Sequence, residues 1–272
     1  MKHMDKLSYL DNLENLSIYI IREAKAQFKK PAALWSMGKD STTLIYLCRK
    51  AFYGKIPFPV IHIDTEQKFP QMYEFRDRMV KEWGLNLIVA KNEEAIKAGV
   101  GPGSGKFECC TKLKTEALKL ALKEYGFDAL LLAIRRDEHG IRAKERIFSP
   151  RDEDFYWDYG NQPLEMWDQY QKAQEEATHT RVHPILHWRE LDVWRYIQKE
   201  DIPINPMYFA KDGKRYRSLG CMPCTSPIAS NASTVDEVVE ELERTKAAER
   251  AGRAQDKEAA FMMQKLRALG YM

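Results

Sequence analysis

The sequence has no uninterrupted apolar run near the roughly 20 residues that a membrane span requires. Its first residues, Met1-Lys2-His3-Met4-Asp5, offer no apolar stretch of the signal-peptide kind, so a cytoplasmic protein is expected. Charge of one sign is also lacking. The 43 Lys and Arg against 40 Asp and Glu leave +3 at pH 7, which gives little general pull toward nucleic acid. Cysteines are few, and their number, five, is odd; Cys109 and Cys110 are adjacent. That is not the even, spaced set of a secreted disulfide framework. In an intracellular chain such cysteines point to metal binding or catalysis. There is no internal repeat and no low-complexity tract. What is present suits one large domain, or a domain with an appendage: 272 residues, of which 44% are apolar and 31% charged, too apolar for a disordered chain.

Residues 5–30 read as an amphipathic helix, with Leu7, Leu10, Leu13, Leu16, Ile18, Ile20 and Ile21 at three- and four-residue spacing. Four short apolar runs, 31–35, 58–63, 85–90 and 129–134, read as buried strands. Helical stretches to about Phe52, over 71–83 and over 112–125 separate them. Strands alternating with helices predict an α/β fold, a doubly wound parallel sheet covered on both faces. Residues 99–106, with four glycines and a proline, read as a loop. The division expected is 1–148 as the first part of the core, 149–181 as an irregular insertion, 182–232 as the remainder of the core, and 233–272 as a helical tail. Residues 188–199 form a helix in this reading. The tail opens on Ser233-Thr234-Val235-Asp236, a capping-box-like start, and continues through opposite charges at helical spacing.

Ser36-Met37-Gly38-Lys39-Asp40-Ser41 stands where the first strand gives way to a helix. Ligands of open parallel sheets bind beyond the carboxyl ends of strands, and helix N-terminal amides offer unpaired donors to an anion. Gly38 permits close backbone approach. Ser36, Ser41 and Thr42 add hydroxyls and Lys39 a charge. The pattern is not the GTPase-type phosphate loop, which needs a glycine five residues before the Gly-Lys pair, where Ala33 stands. A plain polar turn remains the alternative.

The Ser-x-Gly-Lys-Asp-Ser loop resembles that of the ATP pyrophosphatase superfamily, enzymes that split ATP between its α and β phosphates. Further residues are similar to the small, catalytic subunit of heterodimeric bacterial ATP sulfurylase. They are the run 58–65 with Lys68-Phe69 and the run 72–77, then Arg135-Arg136-Asp137-Glu138, the run 142–147, Arg151-Asp152, Glu249-Arg250-x-Gly252-Arg253 and Gly270-Tyr271. The resemblance implies an adenine nucleotide alpha hydrolase-like fold and adenylylation of sulfate by ATP. It also implies Mg²⁺ and a separate GTPase subunit, since this chain lacks a GTPase loop. Asp40 and Asp64 become the carboxylates expected at the nucleotide and its metal. Arg135, Arg136 and Arg142, whose forks match sulfate and phosphate oxygens, become with Lys39 the expected catalytic cations. A solvated basic segment paired with Asp137, Glu138 and Glu145 is the alternative for that cluster. His62 is expected in the core. His183 and His187, with Pro184 between them, are not expected to bind zinc.

The cysteines depart from the small sulfurylase subunit. Cys109-Cys110 with Cys221-Met222-Pro223-Cys224 resembles the set that holds a [4Fe–4S] cluster in assimilatory adenylylsulfate reductases, and Cys110-Thr111-x-x-Lys114 fits that pattern. Zinc, or two unrelated thiol pairs, would also suit the spacing. Cys48 is expected in the core. The reductases need a nucleophilic cysteine near the C-terminus, and none follows Cys224. Three alternatives to sulfate adenylylation stay open. One is sulfonucleotide reduction. Another is ATP-dependent sulfur insertion, with a cysteine desulfurase as partner and nucleic acid as one possible acceptor. The last is nucleotide sensing. An oligomer is expected, and 149–181 and the tail are the expected docking surfaces for the GTPase subunit.

Overall fold

The structure, a computed structural model, describes residues 8–140, 142–160, 162, 164–170, 178–245 and 249. In chain order its strands are β1 (Pro31–Leu34), β2 (Val60–Ile63), β3 (Leu87–Ala90), β4 (Ala129–Leu131), β5 (Phe148–Arg151), β6 (His179–Val182), β7 (Lys214–Arg215) and β8 (Ile228–Ala229). The helices are α1 (Tyr9–Gln27), α2 (Lys39–Ala51), α3 (Pro70–Trp83), α4 (Glu93–Lys97), α5 (Lys106–Cys110), α6 (Ala117–Tyr125), α7 (Glu190–Glu200) and α8 (Val235–Arg244).

The main sheet runs β3-β2-β1-β4-β6-β5. All its pairings are parallel except that of β5 with β6. The chain moves outward from β1 to β3 and then crosses back to β4 on the other side of β1. Right-handed crossovers therefore place α2 and α3 on one face and the β3–β4 connection on the other. The α/β fold expected from the alternation is present. β1, β2, β4 and β6 are buried at every residue, which is why three of them read as continuous apolar runs. β6, His-Thr-Arg-Val, is buried but polar, and periodicity could not find it. It and the antiparallel β5 lie at the two ends of the 149–181 stretch.

Local chemistry sets the ends of the helices. The Ser8 hydroxyl accepts the Asp11 N–H at 3.2 Å while Asp11 accepts the Ser8 N–H at 3.0 Å, a reciprocal cap that starts α1. α3 and α6 stop at Gly84 and Gly126, both in the left-handed region that glycine adopts without strain. The cap of α8 is Thr234 with Glu237, one residue later than the sequence suggests, and the rest of the expected tail lies outside the described residues. Residues 102–104 and α5 give the glycine-rich loop some helical structure. Between α5 and α6 the helix widens into a π turn, Thr111–Glu116. Among the described residues no helix is long and apolar enough to cross a membrane.

β1 and β4 are adjacent, yet their next strands lie on opposite sides. This reversal opens a crevice at their carboxyl ends, and the loop Ser36–Ser41 enters it.

Candidate active site

The turn between β1 and α2 is tied together by its own hydroxyls. The Ser36 N–H donates to Ser41 Oγ at 3.2 Å, the two serine hydroxyls are 3.0 Å apart, and Ser41 Oγ donates to the Gly38 carbonyl at 3.1 Å. Met37, buried, holds φ 59°, a strained value for a residue with a side chain. Gly38 is the N-cap of α2 and supplies no side chain to the first-turn amides. One of those amides is already engaged: Lys39 N–H donates to the Tyr208 hydroxyl at 2.9 Å. Thr42 turns inward, where its hydroxyl accepts the Trp35 indole N–H at 3.1 Å.

A pocket opens against this turn. Ser36, Gly38, Asp40 and Ser41 form one wall, Ile61 and Ile63 of β2 with Leu132, Ala133 and Ile134 after β4 form the floor, and Tyr208, Ser218, Leu219 and Gly220 close it. Three cationic residues line it, Lys68, Lys114 and Arg142, the last ion-paired with Glu138, which also lines it. An apolar slot beside hydroxyls, helix amides and three cations suits a planar heterocycle carrying a polyphosphate.

Behind the turn lies a buried ion network. Lys39 Nζ meets Asp40 Oδ2 at 2.8 Å and Glu249 Oε1. Arg135, with no exposed side-chain surface, gives its Nε to Asp40 Oδ1 at 2.7 Å, its Nη1 to Asp137 at 2.6 Å and its Nη2 to Glu249. Asp137 in turn accepts the Glu190 N–H at 2.9 Å, at the start of α7. Burial alone would push Asp40 up, but Arg135 and then Lys39 outweigh it and hold the carboxyl below its usual range. Lys39 is buried too, which would lower it, yet Asp40 and Glu249 raise it further.

The remaining expected residues fall in different places. Arg136 points to His187, with 2.6 Å between Nη1 and Nδ1, and burial lowers its affinity for the proton. Asp64 is outside the pocket lining. Its Oδ1 accepts the Glu66 N–H at 2.9 Å and the Tyr73 hydroxyl at 2.8 Å, and Lys91 lies 3.3 Å from Oδ2. His62 is fully buried, with Nδ1 3.1 Å from the Trp35 carbonyl. Burial, then Lys68, pushes it down to about 4. Cys48 is a core residue.

The other four thiols converge from two directions. Cys109 and Cys110 end α5 just before the π turn, and the β7–β8 hairpin carries Cys221 and Cys224. Burial, then Cys110 and Cys221, pushes the Cys109 thiol up to about 11, with Cys224 adding to it and Lys114 opposing. Cys221 Sγ is 3.3 Å from the Thr65 hydroxyl, and the Met222 N–H donates to the Gln67 carbonyl at 2.7 Å. The thiols therefore back onto the pocket through Lys114 and the wall 218–220. Among the described residues no group of three or more His, Cys, Asp or Glu is already arranged to hold a metal ion.

Residues 30–227 match the phosphoadenosine phosphosulfate reductase domain. The chain is 42% identical to sulfate adenylyltransferase subunit 2 of Pseudomonas paraeruginosa, over 98% of this chain and 99% of that one. It is 43% identical to the protein of the same name from Bacteroides fragilis, over the whole of both. The chain belongs to the sulfate adenylyltransferase subunit 2 family. Solved structures share the fold at low identity. A phosphoadenylyl-sulfate reductase from Candida auris aligns with TM-score 0.56 and 18% identity, over 81% of this chain and 98% of that one. An FMN adenylyltransferase from Candida glabrata aligns with TM-score 0.59 and 16% identity, over 90% and 87%.

For this member of the family, Tyr208 carried no signal in the sequence, and Glu249 stood inside a C-terminal motif that the resemblance marked without a role assigned to it. Tyr208 reaches the loop from the Pro206–Tyr208 turn, and Glu249 reaches it from beyond α8. Both are distant in sequence from the loop, and only the fold brings them there. Lys68, Lys114 and Glu138 stood inside motifs that the resemblance marked, but nothing in their spacing set them apart from surface charges.

Proposed function

We propose that this chain is the catalytic subunit of a sulfate adenylyltransferase, a nucleotidyltransferase acting in sulfate assimilation. A sulfate oxygen attacks the α-phosphorus of ATP, the bond from that phosphorus to the bridging oxygen of the β-phosphate breaks, and pyrophosphate leaves with adenylyl sulfate as the product. The observation that carries this reading is identity above 40% with proteins of that name along essentially the whole chain.

In this reading the first-turn amides of α2 and the hydroxyls of Ser36 and Ser41 take the terminal phosphates, and Gly38 lets them come close. Lys68, Lys114 and Arg142 offset the repulsion among sulfate, the α-phosphate and the leaving group. Sulfate is a weak nucleophile, so holding it in line matters more than removing a proton. Lys39 and Arg135, each held by carboxylates, shape the site from behind. Asp40 fits a magnesium ion: it lines the pocket and each oxygen carries one side-chain donor, leaving lone pairs for a metal whose other ligands are phosphates and water. Asp64 is the weaker choice, because it lies outside the pocket.

Cys109, Cys110, Cys221 and Cys224 fit an iron–sulfur cluster in number and kind. None of them is in a disulfide, and at Cys109 burial and the neighbouring thiols disfavour the thiolate, a penalty that a bound cation relieves. When bound, such a cluster supplies a rigid anchor and a reducible centre beside the pocket. Zinc is the less fitting occupant. The subunit name of the relatives implies a companion subunit, and a GTPase suits it, because the reaction is uphill. The reductase and sulfur-insertion alternatives have no comparable support.

Pyrophosphate release from ATP, measured with and without sulfate and with and without the companion GTPase, tests the proposal. Sulfate-dependent release is expected, and its absence in every combination overturns the reading.

A further inference from the structure

Among the described residues, Glu249 is the one acid of the site that comes from beyond α8, 210 positions from Lys39 and 114 from Arg135. Its side chain is only 7% exposed, and each of its oxygens takes a different cation: Oε1 accepts from Lys39 Nζ and Oε2 from Arg135 Nη2. The same two cations hold Asp40 from the other side, through Lys39 Nζ at 2.8 Å and Arg135 Nε at 2.7 Å. The four groups form a closed ring of alternating charge. Asp40 lines the pocket, whereas Lys39, Arg135 and Glu249 do not.

Two roles are open to such a carboxylate. It could occupy the place of a substrate anion and leave when the nucleotide arrives. Or it could hold the two cations permanently, so that neither swings into the pocket nor draws Asp40 out of line. The placement favours the second. The charged ends of Lys39 and Arg135 sit behind the turn, and the third Arg135 contact, Asp137, ties them to the start of α7. The two buried cations are matched within the ring by two carboxylates, Asp40 and Glu249, while Asp137, whose side chain is 37% exposed, stands at its rim. Desolvation offsets most of the attraction in a buried set of this kind, so its value lies in geometry.

We propose that Glu249 is a positioning residue of adenylyl transfer, fixing Lys39 and Arg135 and, through them, the Asp40 carboxylate at the pocket wall. The inference rests on the ATP reading above. It extends the active site to Glu249, beyond α8.

The test uses the full chain with its companion subunit and the variants E249Q, E249A and E249D. Turnover with ATP and sulfate is measured beside ATP affinity by calorimetry and the melting temperature. E249Q and E249A are expected to lower kcat about 10- to 100-fold, as small misplacements of reacting groups do. ATP affinity is expected to move less than about threefold, because the lost interaction acts on the transition state. E249D is expected to recover part of kcat. Unchanged kcat overturns the inference. So does tighter ATP binding with kcat retained, which makes Glu249 an occupant of the anion site. Loss of folding in all three variants makes it a stability residue and overturns the inference as well. If the wild-type protein binds ATP but shows no sulfate-dependent turnover, the acceptor is wrong and the inference falls with it. If the wild type turns over and the variants match it, the inference alone falls.

Discussion

The Tyr208 hydroxyl accepts the backbone N–H of Lys39 at 2.9 Å, so a side chain from a distant turn caps the helix that opens the phosphate loop. Gly38 supplies no cap of its own, and a Cβ placed on it would stand 3.3 Å from that same hydroxyl. The glycine and the tyrosine therefore depend on each other. Y208F leaves a buried amide without its acceptor, an effect of about 1–3 kcal/mol. Urea denaturation should show that loss. G38A forces the phenol outward, so its destabilisation should be smaller in the Y208F background than in the wild type. Additive effects in that double-mutant cycle would count against the coupling.

Two arginines of the basic cluster should separate on substitution. Arg142 lines the pocket beside Glu138, whereas Arg136 is engaged with His187. R142Q is expected to raise the KM for sulfate or ATP by at least about tenfold, the scale of a charge-assisted contact of 1.5–3 kcal/mol. R136Q should leave both within about twofold, since the Arg136 guanidinium is engaged with His187 away from the pocket lining. Steady-state kinetics on the two variants checks the contrast. Equal losses would place Arg136 at the substrate as well.

That contrast marks where the sequence was readable. The buried parallel strands appear as apolar runs because both of their faces are covered, and the loop at Ser36–Ser41 stands out because glycine, hydroxyls and a strand end coincide. Arg135, Arg136 and Arg142 look alike in sequence. Only the turn after β4 decides that one is locked among acids, one meets a histidine and one faces the pocket. β6 escaped because His179, Thr180 and Arg181 are polar yet buried, so no apolar run marks the strand. Tyr208 escaped, and the role of Glu249 stayed hidden inside its motif, for the same reason: the chemistry of a single tyrosine or glutamate says nothing until a partner stands beside it.

The cysteine set makes a prediction about metal and pH. Protein purified without oxygen is expected to be coloured and to contain iron and sulfide in equal amounts, and C221S or C109S should abolish both. In metal-free protein the Cys109 thiol, pushed up to about 11 by burial and its neighbours, should react slowly with iodoacetamide near pH 8. Metal binding must displace thiol protons, so the apparent affinity should rise with pH over that range. A colourless preparation with fast alkylation at Cys109 would remove the cluster.

Glu249 yields a prediction on the pH dependence of stability. Burial pushes its carboxyl above the ordinary glutamate range even though Lys39 and Arg135 pull the other way, and Glu190 and Asp40 add to the rise. In the unfolded chain the carboxyl titrates at its ordinary value. Between the two values the native state holds a proton that the unfolded state has released. The contribution of that proton to stability is complete below the unfolded value and disappears as pH rises through the folded one. Melting curves of the wild type and of E249Q from about pH 4 to about pH 8 measure the contribution directly, because glutamine does not titrate. The wild type should lose stability relative to E249Q as pH rises, with the difference levelling off above the raised value. The opposite slope would mean that the two cations dominate and that the carboxylate is held for stability. It would also count against Glu249 as a positioning group in the reaction.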